Sequence, residues 1–125
     1  MKKIIVTHDD YLLITKFMET NGGSLSRYSY TKLSEELKDA EVLENDVLPE
    51  NVIGLHSEVE VIETELKQKM KIKLVPPKEA NPKMFHISIF APIGTALIGY
   101  EKGDVVEWEV GGKLRKFKIL DVKNG

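Results

Sequence analysis

The spacing of apolar residues changes near residue 57, and this change constrains the fold more than any other feature of the sequence. Before it, apolar side chains recur every three or four residues, as at Leu33, Leu37 and Ala40, which is typical of an amphipathic helix. After it, apolar and charged residues alternate, as in "SEVEVIE" and "KQKMKIKLV", which indicates half-buried strands. The sequence therefore predicts an α+β chain whose helices precede its sheet.

The first 50 residues contain two helical patterns. "THDDYLLITKFMET" predicts a first helix capped by Thr7 or Asp9, ending at "NGG" with a left-handed glycine, and "YTKLSEELKDAEVL" predicts a second. We expect residues 1–50 to form a short antiparallel helical hairpin joined by a loop of about eight to ten residues. Because Pro49 and Gly54 interrupt the pattern that follows, we also expect residues 51–125 to fold separately, with 1–50 unfolded alone.

Two strand hairpins are predicted in residues 51–125. In the first, Glu60 is expected opposite Lys69, which places a row of glutamates beside a row of lysines. The lysine row indicates either a solvated sheet face or a nucleic-acid strip, and the neighbouring glutamates favour the former. In the second, "VGGK" forms the turn, so that Val106 faces Phe117 and Trp108 faces Arg115, with Trp108 pointing inward.

The stretch "FAPIGTALIGYEKGD" connects the two hairpins. Its proline and glycines predict a short helix that begins at Pro92 or Ile93 and ends at Ile98. The result is an antiparallel sheet of about five strands with one inserted helix. The apolar corner formed by Phe90, Pro92 and Ile93 belongs either to the core or to a surface that binds a protein partner.

Composition excludes several classes of function. The chain has no cysteine, which rules out disulfides and thiolate metal sites and fits a reducing cytoplasm. No apolar run approaches the roughly 20 residues of a membrane helix, so we expect no membrane association. A net charge of -2 argues against bulk attraction to nucleic acid.

Motifs that carry chemistry are also missing from the sequence. His8, His56 and His86 lie at no metal-ligand spacing and beside no nucleophilic serine. The pair Asp9–Asp10 either complements a helix dipole or binds Mg²⁺ with a partner's help. We therefore expect no catalytic residue, no metal and no cofactor.

Two motifs resemble a known family. "APIGTALIG" and "GDVVEWE" are similar to the C-terminal domain of the bacterial Gre transcript-cleavage factors, and more closely to its Rnk relatives, the regulators of nucleoside diphosphate kinase. The start "IIVTHDDYLLITKFME" also looks like that of Rnk. The resemblance implies an FKBP-like sheet, a hairpin shortened from the Gre coiled coil, and a non-enzymatic elongation regulator that competes with Gre factors.

The same resemblance implies a partner. The partner would be RNA polymerase, bound at the rim of its secondary channel through the C-terminal domain. Because the corner is apolar and rigid, we expect its residues Phe90, Ala91, Pro92 and Ile93 to make the contact. The hairpin tip would carry Glu19, Asn21 and Arg27. In Gre factors, acids at this tip help to hold a catalytic Mg²⁺ in the polymerase, so a single tip acid argues against stimulated cleavage.

An active Gre-type cleavage factor and an FKBP-like peptidyl-prolyl isomerase remain as alternative hypotheses. In the favoured interpretation the chain is a cytoplasmic monomer that meets nucleic acid only through polymerase.

Overall fold

The computed structural model describes residues 3–45, 47–110 and 112–124, and it has the α+β architecture that the sequence predicts. Its elements, in chain order, are β1 Ile5–Thr7, α1 His8–Asn21, α2 Arg27–Lys38, β2 Glu41–Leu43, β3 Glu58–Glu63, β4 Lys69–Val75, β5 His86–Ser88, α3 Pro92–Leu97, β6 Val105–Val110 and β7 Lys113–Lys123. Short 3₁₀ turns occupy 22–24, 77–79 and 82–84. Within the described ranges, none of the helices has the length and apolarity needed to cross a bilayer.

The main sheet has five strands in the order β5-β4-β3-β7-β6. It is mixed rather than antiparallel, because β5 pairs with β4 in parallel. The connection between these two strands, with 3₁₀ turns at 77–79 and 82–84, brings the chain back beside Lys73, so that β5 runs parallel to the last three residues of β4. The prediction of a wholly antiparallel sheet is therefore wrong at this one edge.

The pairing of β6 with β7 is the one that the sequence predicts, with Val106 opposite Phe117 and Trp108 opposite Arg115. Trp108 is buried and its ring stacks on Phe117. The tip of this hairpin includes Gly111, which lies outside the described residues.

The pairing of β3 with β4 is shifted by two residues from the prediction. Glu60 faces Lys71 instead of Lys69, because the turn is longer and closes with the Glu63 amide donating to Gln68. A shift of two keeps every side chain on its predicted face. The glutamate and lysine rows therefore still lie side by side on the solvated face.

The first helix begins where the sequence predicts it and ends differently. The Thr7 hydroxyl accepts a hydrogen bond from the Asp10 amide at 3.1 Å, so Thr7 is the N-cap. Gly22 is helical rather than left-handed and continues into the 3₁₀ turn, and Ser26 caps α2. The linker between the helices is consequently only residues 22–26.

Residues 41–43, expected at the end of the second helix, instead form strand β2. Helix α2 stops at Lys38, and β2 pairs in parallel with β1. This small sheet anchors the amino terminus against the body, because the Ile5 amide donates to the Gly99 carbonyl at 3.0 Å. The local helical period was overridden by pairing with a strand distant in sequence.

One hydrophobic core extends through both segments of the chain. Its members from the first 50 residues and from the remainder pack in the same cluster, and they include Ile4, Val6, Ile14, Leu33, Leu37, Leu97, Ile98, Trp108 and Ile119. Helix α2 packs mainly on α3, and α1 packs mainly on the short strands β1 and β2. The two helices therefore share the core of the domain and contact it through α3 and the small sheet of β1 and β2.

Candidate partner-binding surface

The turn from β5 into α3 is fixed by local hydrogen bonds. The Ser88 hydroxyl accepts from the Phe90 amide, and the Ser88 carbonyl accepts from the Ala91 amide, both at 3.0 Å. Pro92 occupies the first turn of α3, where its missing N–H and fixed φ are favourable, and the Thr95 hydroxyl donates to the Pro92 carbonyl at 2.9 Å. Residues 88–95 thus form a rigid corner.

Two glycines of this stretch are required by close approach. A Cβ at Gly94 would lie 2.3 Å from the Ser88 carbonyl oxygen, so helix α3 rests directly on the backbone of the preceding strand. Gly99 has φ +83, and a Cβ there would lie 2.5 Å from the Cβ of Ile4. These close contacts are a sufficient structural reason for the two glycines of "PIGTALIG".

Phe90 does not present an apolar surface to solvent. It is 8% exposed, and its ring stacks on that of Phe17 at a centroid distance of 3.6 Å. Of the two alternatives left open by the sequence, the structure therefore selects the core for Phe90, because α1 folds over it. Pro92 is exposed, whereas Ala91 and Ile93 are half-buried, so the accessible corner is smaller than the sequence suggested.

The tip residues Glu19, Asn21 and Arg27 are all exposed. Phe17 lies one helical turn before Asn21, about 6 Å along the axis. Because Phe17 stacks on Phe90, the corner and the tip lie at the same end of the molecule. The sequence assigned them to separate units.

A groove runs beside the tip and is partly apolar. It is lined by Met18, Leu25, Tyr30, the glycines 22–23 and the charged pair Glu19 and Arg27. A Cβ at Gly22 would lie 2.8 Å from the Tyr30 ring, so this glycine lets the two helices turn tightly. The groove lies at the same end of the molecule as the corner and is part of the candidate surface.

A polar cluster that the sequence did not reveal attaches α2 to the body. The Tyr100 hydroxyl donates to Glu36, whose Oε2 also lies 3.0 Å from the Nζ of Lys32. The same ammonium lies 5.0 Å from the centroid of the Tyr100 ring. Burial and the Glu36 carboxylate raise the pKa of Tyr100, which keeps its hydroxyl a donor.

The Asp9–Asp10 pair does not converge on a candidate metal site. The Asp10 carboxylate accepts from the Leu55 amide at 3.2 Å, which links the first turn of α1 to the segment before β3. Burial raises the pKa of Asp10, partly opposed by this hydrogen bond. Among the residues that the structure describes, no three His, Asp or Glu side chains are grouped to hold a metal ion.

The candidate surface thus consists of a corner fixed by hydrogen bonds and a groove at the same end of a small α+β body. The family model for the C-terminal part of the transcription elongation factors GreA and GreB matches residues 48–124. The chain belongs to the GreA/GreB transcription elongation factor family.

Relatives named transcription elongation factor GreA are about a third identical to the chain over the aligned residues. One from Clostridium botulinum (strain Eklund 17B / Type B) is 36% identical over 105 residues, which cover 84% of this chain and 66% of that protein. One from Acetivibrio thermocellus is 35% identical over 92 residues, covering 74% and 58%. The chain therefore spans less than two thirds of the length of these relatives.

Two solved structures are similar over almost the whole chain. A prokaryotic transcription elongation factor GreA/GreB from Nitrosomonas europaea is 30% identical, covers 99% of this chain and 100% of its own, and superimposes with a TM-score of 0.77. The GreA factor homologue Gfh1 of Thermus thermophilus, at 22% identity, covers 98% and 100% with a TM-score of 0.53, which shows a shared fold.

Proposed function

We propose that the chain is a regulator of transcription elongation of the Rnk type, which binds RNA polymerase at the rim of the secondary channel without stimulating cleavage. It would compete there with Gre cleavage factors. The observation that carries the proposal is the placement of the helices. Helices α1 and α2 have 14 and 12 residues, about 20 Å each, and both contribute side chains to the shared core of the domain. Such helices have no free length with which to reach a distant catalytic centre.

The charge of the tip supports the same role. Glu19 is the only acid between Met18 and Tyr28, and Arg27 brings a positive charge to the same groove. Binding of a divalent cation by carboxylates weakens when ligands are few and a cation is nearby. A tip of this composition is poorly suited to sharing Mg²⁺ with the polymerase.

The proposed contact is made by Ala91, Pro92 and Ile93, supported from below by Phe90. The hydrogen bonds of residues 88–95 hold this corner in one conformation before binding. A rigid contact loses little conformational entropy when it binds, which raises affinity for a given contact area.

The proposal is tested by co-purification of the protein with core RNA polymerase, with and without a competing Gre factor. Pro92→Asp is the informative variant, because aspartate is favourable in the first turn of a helix and the fold should persist. We expect polymerase binding to be lost at an unchanged melting temperature. Thr64→Asp, on the exposed β3–β4 turn, is the matched control and should bind normally. Retention of binding by Pro92→Asp would contradict the proposed contact.

A second candidate, a cleavage-stimulating factor, is favoured by one observation: the relatives quoted above are named GreA. Backtracked elongation complexes separate the two roles. With the protein alone, we expect no RNA shortening above buffer controls. With the protein and a Gre factor together, we expect less shortening than with the Gre factor alone. Robust shortening that disappears in Glu19→Gln would support the second candidate. In either role the protein would act as a cytoplasmic monomer, in contact with nucleic acid only through polymerase.

A further inference from the structure

We propose that the outer edge of strand β6 binds an extended segment of a protein partner, which carries lysine or arginine at alternate positions and pairs with β6 as a sixth strand of the main sheet. The β6 edge consists of Val105, Glu107 and Glu109, and it is built from other residues than the corner at 88–95. Addition of a strand to a free sheet edge is a common mode of peptide recognition, because main-chain hydrogen bonds supply affinity and side chains supply specificity.

The hydrogen-bond pattern establishes which backbone groups of β6 face outward. Strand β6 is the last in the order of the main sheet and pairs with β7. The Ile119 amide donates to the Asp104 carbonyl at 2.9 Å, so Asp104 faces β7. Because residues of an antiparallel pair alternate between hydrogen-bonded and non-hydrogen-bonded positions, the N–H and C=O groups of Val105, Glu107 and Glu109 point away from β7.

The β6 edge is open in the folded chain. Within the described ranges, one hydrogen bond reaches its backbone groups, from the Tyr28 hydroxyl to the Glu107 carbonyl oxygen at 3.4 Å. This distance is longer than the usual range of about 2.5–3.0 Å for such a bond. A groove of about 630 Å³ lies beside the edge, between Glu109 and helix α2. A backbone amide of an added strand can therefore replace the weak bond from Tyr28.

The side chains of the β6 edge indicate the chemistry of the added strand. Glu107 and Glu109 are exposed on the solvated face of the sheet. Inside the sheet, glutamates of this face lie opposite lysines, as Glu60 does with Lys71 and Glu107 with Lys116. Of the strands that the structure describes, none borders β6 on its outer side. Opposite charges that face each other across strands stabilise the pairing, so an added strand with basic residues opposite the two glutamates is complementary.

The charges on the α2 side of the groove do not cancel this preference. Lys32 lies 3.0 Å from the carboxylate of Glu36, so its charge is already balanced within the helix. Arg27 and Glu35 also line the groove, and their charges offset each other. The glutamates of the β6 edge therefore remain as the unbalanced charges.

The environment of the Tyr28 hydroxyl is consistent with this charge balance. Burial raises the pKa of Tyr28, and the carboxylates of Glu107, Glu36 and Glu109 raise it further. The same carboxylates that disfavour an additional negative charge beside the edge favour a cationic side chain there.

A second copy of the chain is the other strand that could occupy the β6 edge. Antiparallel pairing of two β6 strands would place Glu107 and Glu109 of both copies on one face, opposite or diagonal to each other. Like charges at such positions destabilise strand pairing, and charged edge strands are a common protection against self-association. The edge therefore favours a basic segment of another protein.

The test uses the acetylated and amidated peptide KMKIKLV, which has the sequence of β4 and carries lysines on one face and apolar residues on the other. Amide hydrogen exchange of the full-length protein is followed by NMR with and without the peptide. We expect the Val105, Glu107 and Glu109 amides to exchange about tenfold more slowly at saturating peptide. The Val106 and Trp108 amides, which face β7, should change little.

Charge reversal tests specificity. The peptide EMEIELV should bind wild type about tenfold more weakly than KMKIKLV, and the double variant Glu107→Lys, Glu109→Lys should reverse this order. Both substituted residues are exposed, and thermal unfolding checks that the fold persists. The double variant Glu65→Lys, Glu79→Lys has the same change in charge on exposed residues outside β6, and it should keep the wild-type order.

Three results would overturn the proposal. The first is unchanged exchange at residues 105, 107 and 109 in saturating KMKIKLV. The second is equal binding of KMKPKLV, whose central proline lacks an N–H, because this would show charge attraction without strand pairing. The third is protection of the same amides that grows with protein concentration in the absence of peptide, which would replace the basic partner with a second copy. None of these measurements uses RNA polymerase, so their outcome is independent of the proposed function.

Discussion

The ring of Phe17 in helix α1 stacks on the ring of Phe90 at the β5–α3 corner, with centroids 3.6 Å apart and planes within 4° of parallel. The contact joins residues 73 positions apart and connects the helical segment to the family's C-terminal domain. It also places the hairpin tip beside the corner. The same stack therefore contributes to the core and shapes the candidate surface.

Truncation of Phe90 should destabilise the whole protein. Phe90→Ala removes a buried ring, and such changes cost about 3–5 kcal/mol of unfolding free energy. Phe17→Ala should cost less because Phe17 is half-buried, and a double-mutant cycle should give a coupling of about 0.5–1.5 kcal/mol. Chemical denaturation of the two single variants and the double variant measures these free energies. Leu114→Ala, at an exposed residue, is the control and should unfold within about 0.5 kcal/mol of wild type. Additive effects of the two phenylalanines would contradict the stack.

Gly94 should tolerate no side chain, whereas Gly23 should accept one. A Cβ at Gly94 would clash with backbone atoms of Ser88 and Ile89, which cannot move aside, so Gly94→Ala should lower the melting temperature by many degrees. Nothing lies within 4 Å of the corresponding position at Gly23. Gly23→Ala should therefore be neutral or stabilise by about 0.4–1 kcal/mol through the unfolded state. Equal thermal shifts for the two variants would show that the close approach at Gly94 is not maintained.

Acidification should remove an unfavourable contribution that the charged Asp10 carboxylate makes to the stability of the folded state. Burial raises its folded pKa above the ordinary value of 3.8, so the folded state binds a proton more tightly than the unfolded state. The stability contributed by this group therefore falls as pH rises from 3.8 through the folded pKa, and at neutral pH the charge is a net penalty. Asp10→Asn, which keeps an acceptor for the Leu55 amide, should melt at or above the wild-type temperature at pH 7. The difference in melting temperature between Asp10→Asn and wild type should vanish below pH 3.8. Asp10→Ala should melt below wild type because it lacks the hydrogen bond from the Leu55 amide.

Glu63 should show the opposite dependence on pH. Its carboxylate accepts from the Leu66 and Glu65 amides in the β3–β4 turn, and these bonds lower its pKa from 4.5. The stability that it contributes is present above pH 4.5 and is lost as pH falls through the lowered folded value. Glu63→Gln should consequently melt below wild type at pH 7, with the difference shrinking at low pH. Glu65→Gln, exposed on the same turn, should match wild type at both pH values.

A fragment of residues 51–125 should not melt cooperatively. The fragment lacks Ile4, Ile14 and Leu33, which pack with Leu97 and Ile98 in the shared core. We expect a broad unfolding transition and dye binding to exposed apolar surface, and recovery of both signals when residues 1–50 are added in trans. A sharp transition for the isolated fragment would instead favour the separable units that the linker composition suggested.

Much of the fold follows from local patterns. The alternation in "VVEWEV" and "LRKFKIL" set both the strands and their register, because a tight turn leaves one pairing that buries Trp108 with Val106. The N-cap at Thr7 and the start of α3 at Pro92 were predictable for the same reason, since each depends on residues within one turn. Family membership could also be predicted, because "APIGTALIG" and "GDVVEWE" are local strings. The Rnk type and the FKBP-like sheet stay predictions.

The candidate site could be predicted only in part. Pro92 lies exposed where the sequence placed it, and Glu19, Asn21 and Arg27 are exposed around the turn between the helices. That Phe90 is covered by α1 could not be read from its neighbours, because its cover comes from Phe17. The hydrogen bond from the Tyr100 hydroxyl to Glu36 could not be predicted either, because no local sequence pattern links these two residues.

The sequence by itself determined the two main helices, the five strands of the main sheet, the start of α1, the solvated charge rows and the family, because each depends on neighbouring residues and on a fixed backbone period. Only the tertiary structure decided that residues 41–43 pair with 5–7 as strands, that α2 packs on α3 while α1 packs on β1 and β2, and that Phe90 is covered by Phe17. These features arise from contacts between residues far apart in the chain. The free energies of these contacts depend on which residues pack together in the folded chain, and the local spacing of apolar residues does not contain that information.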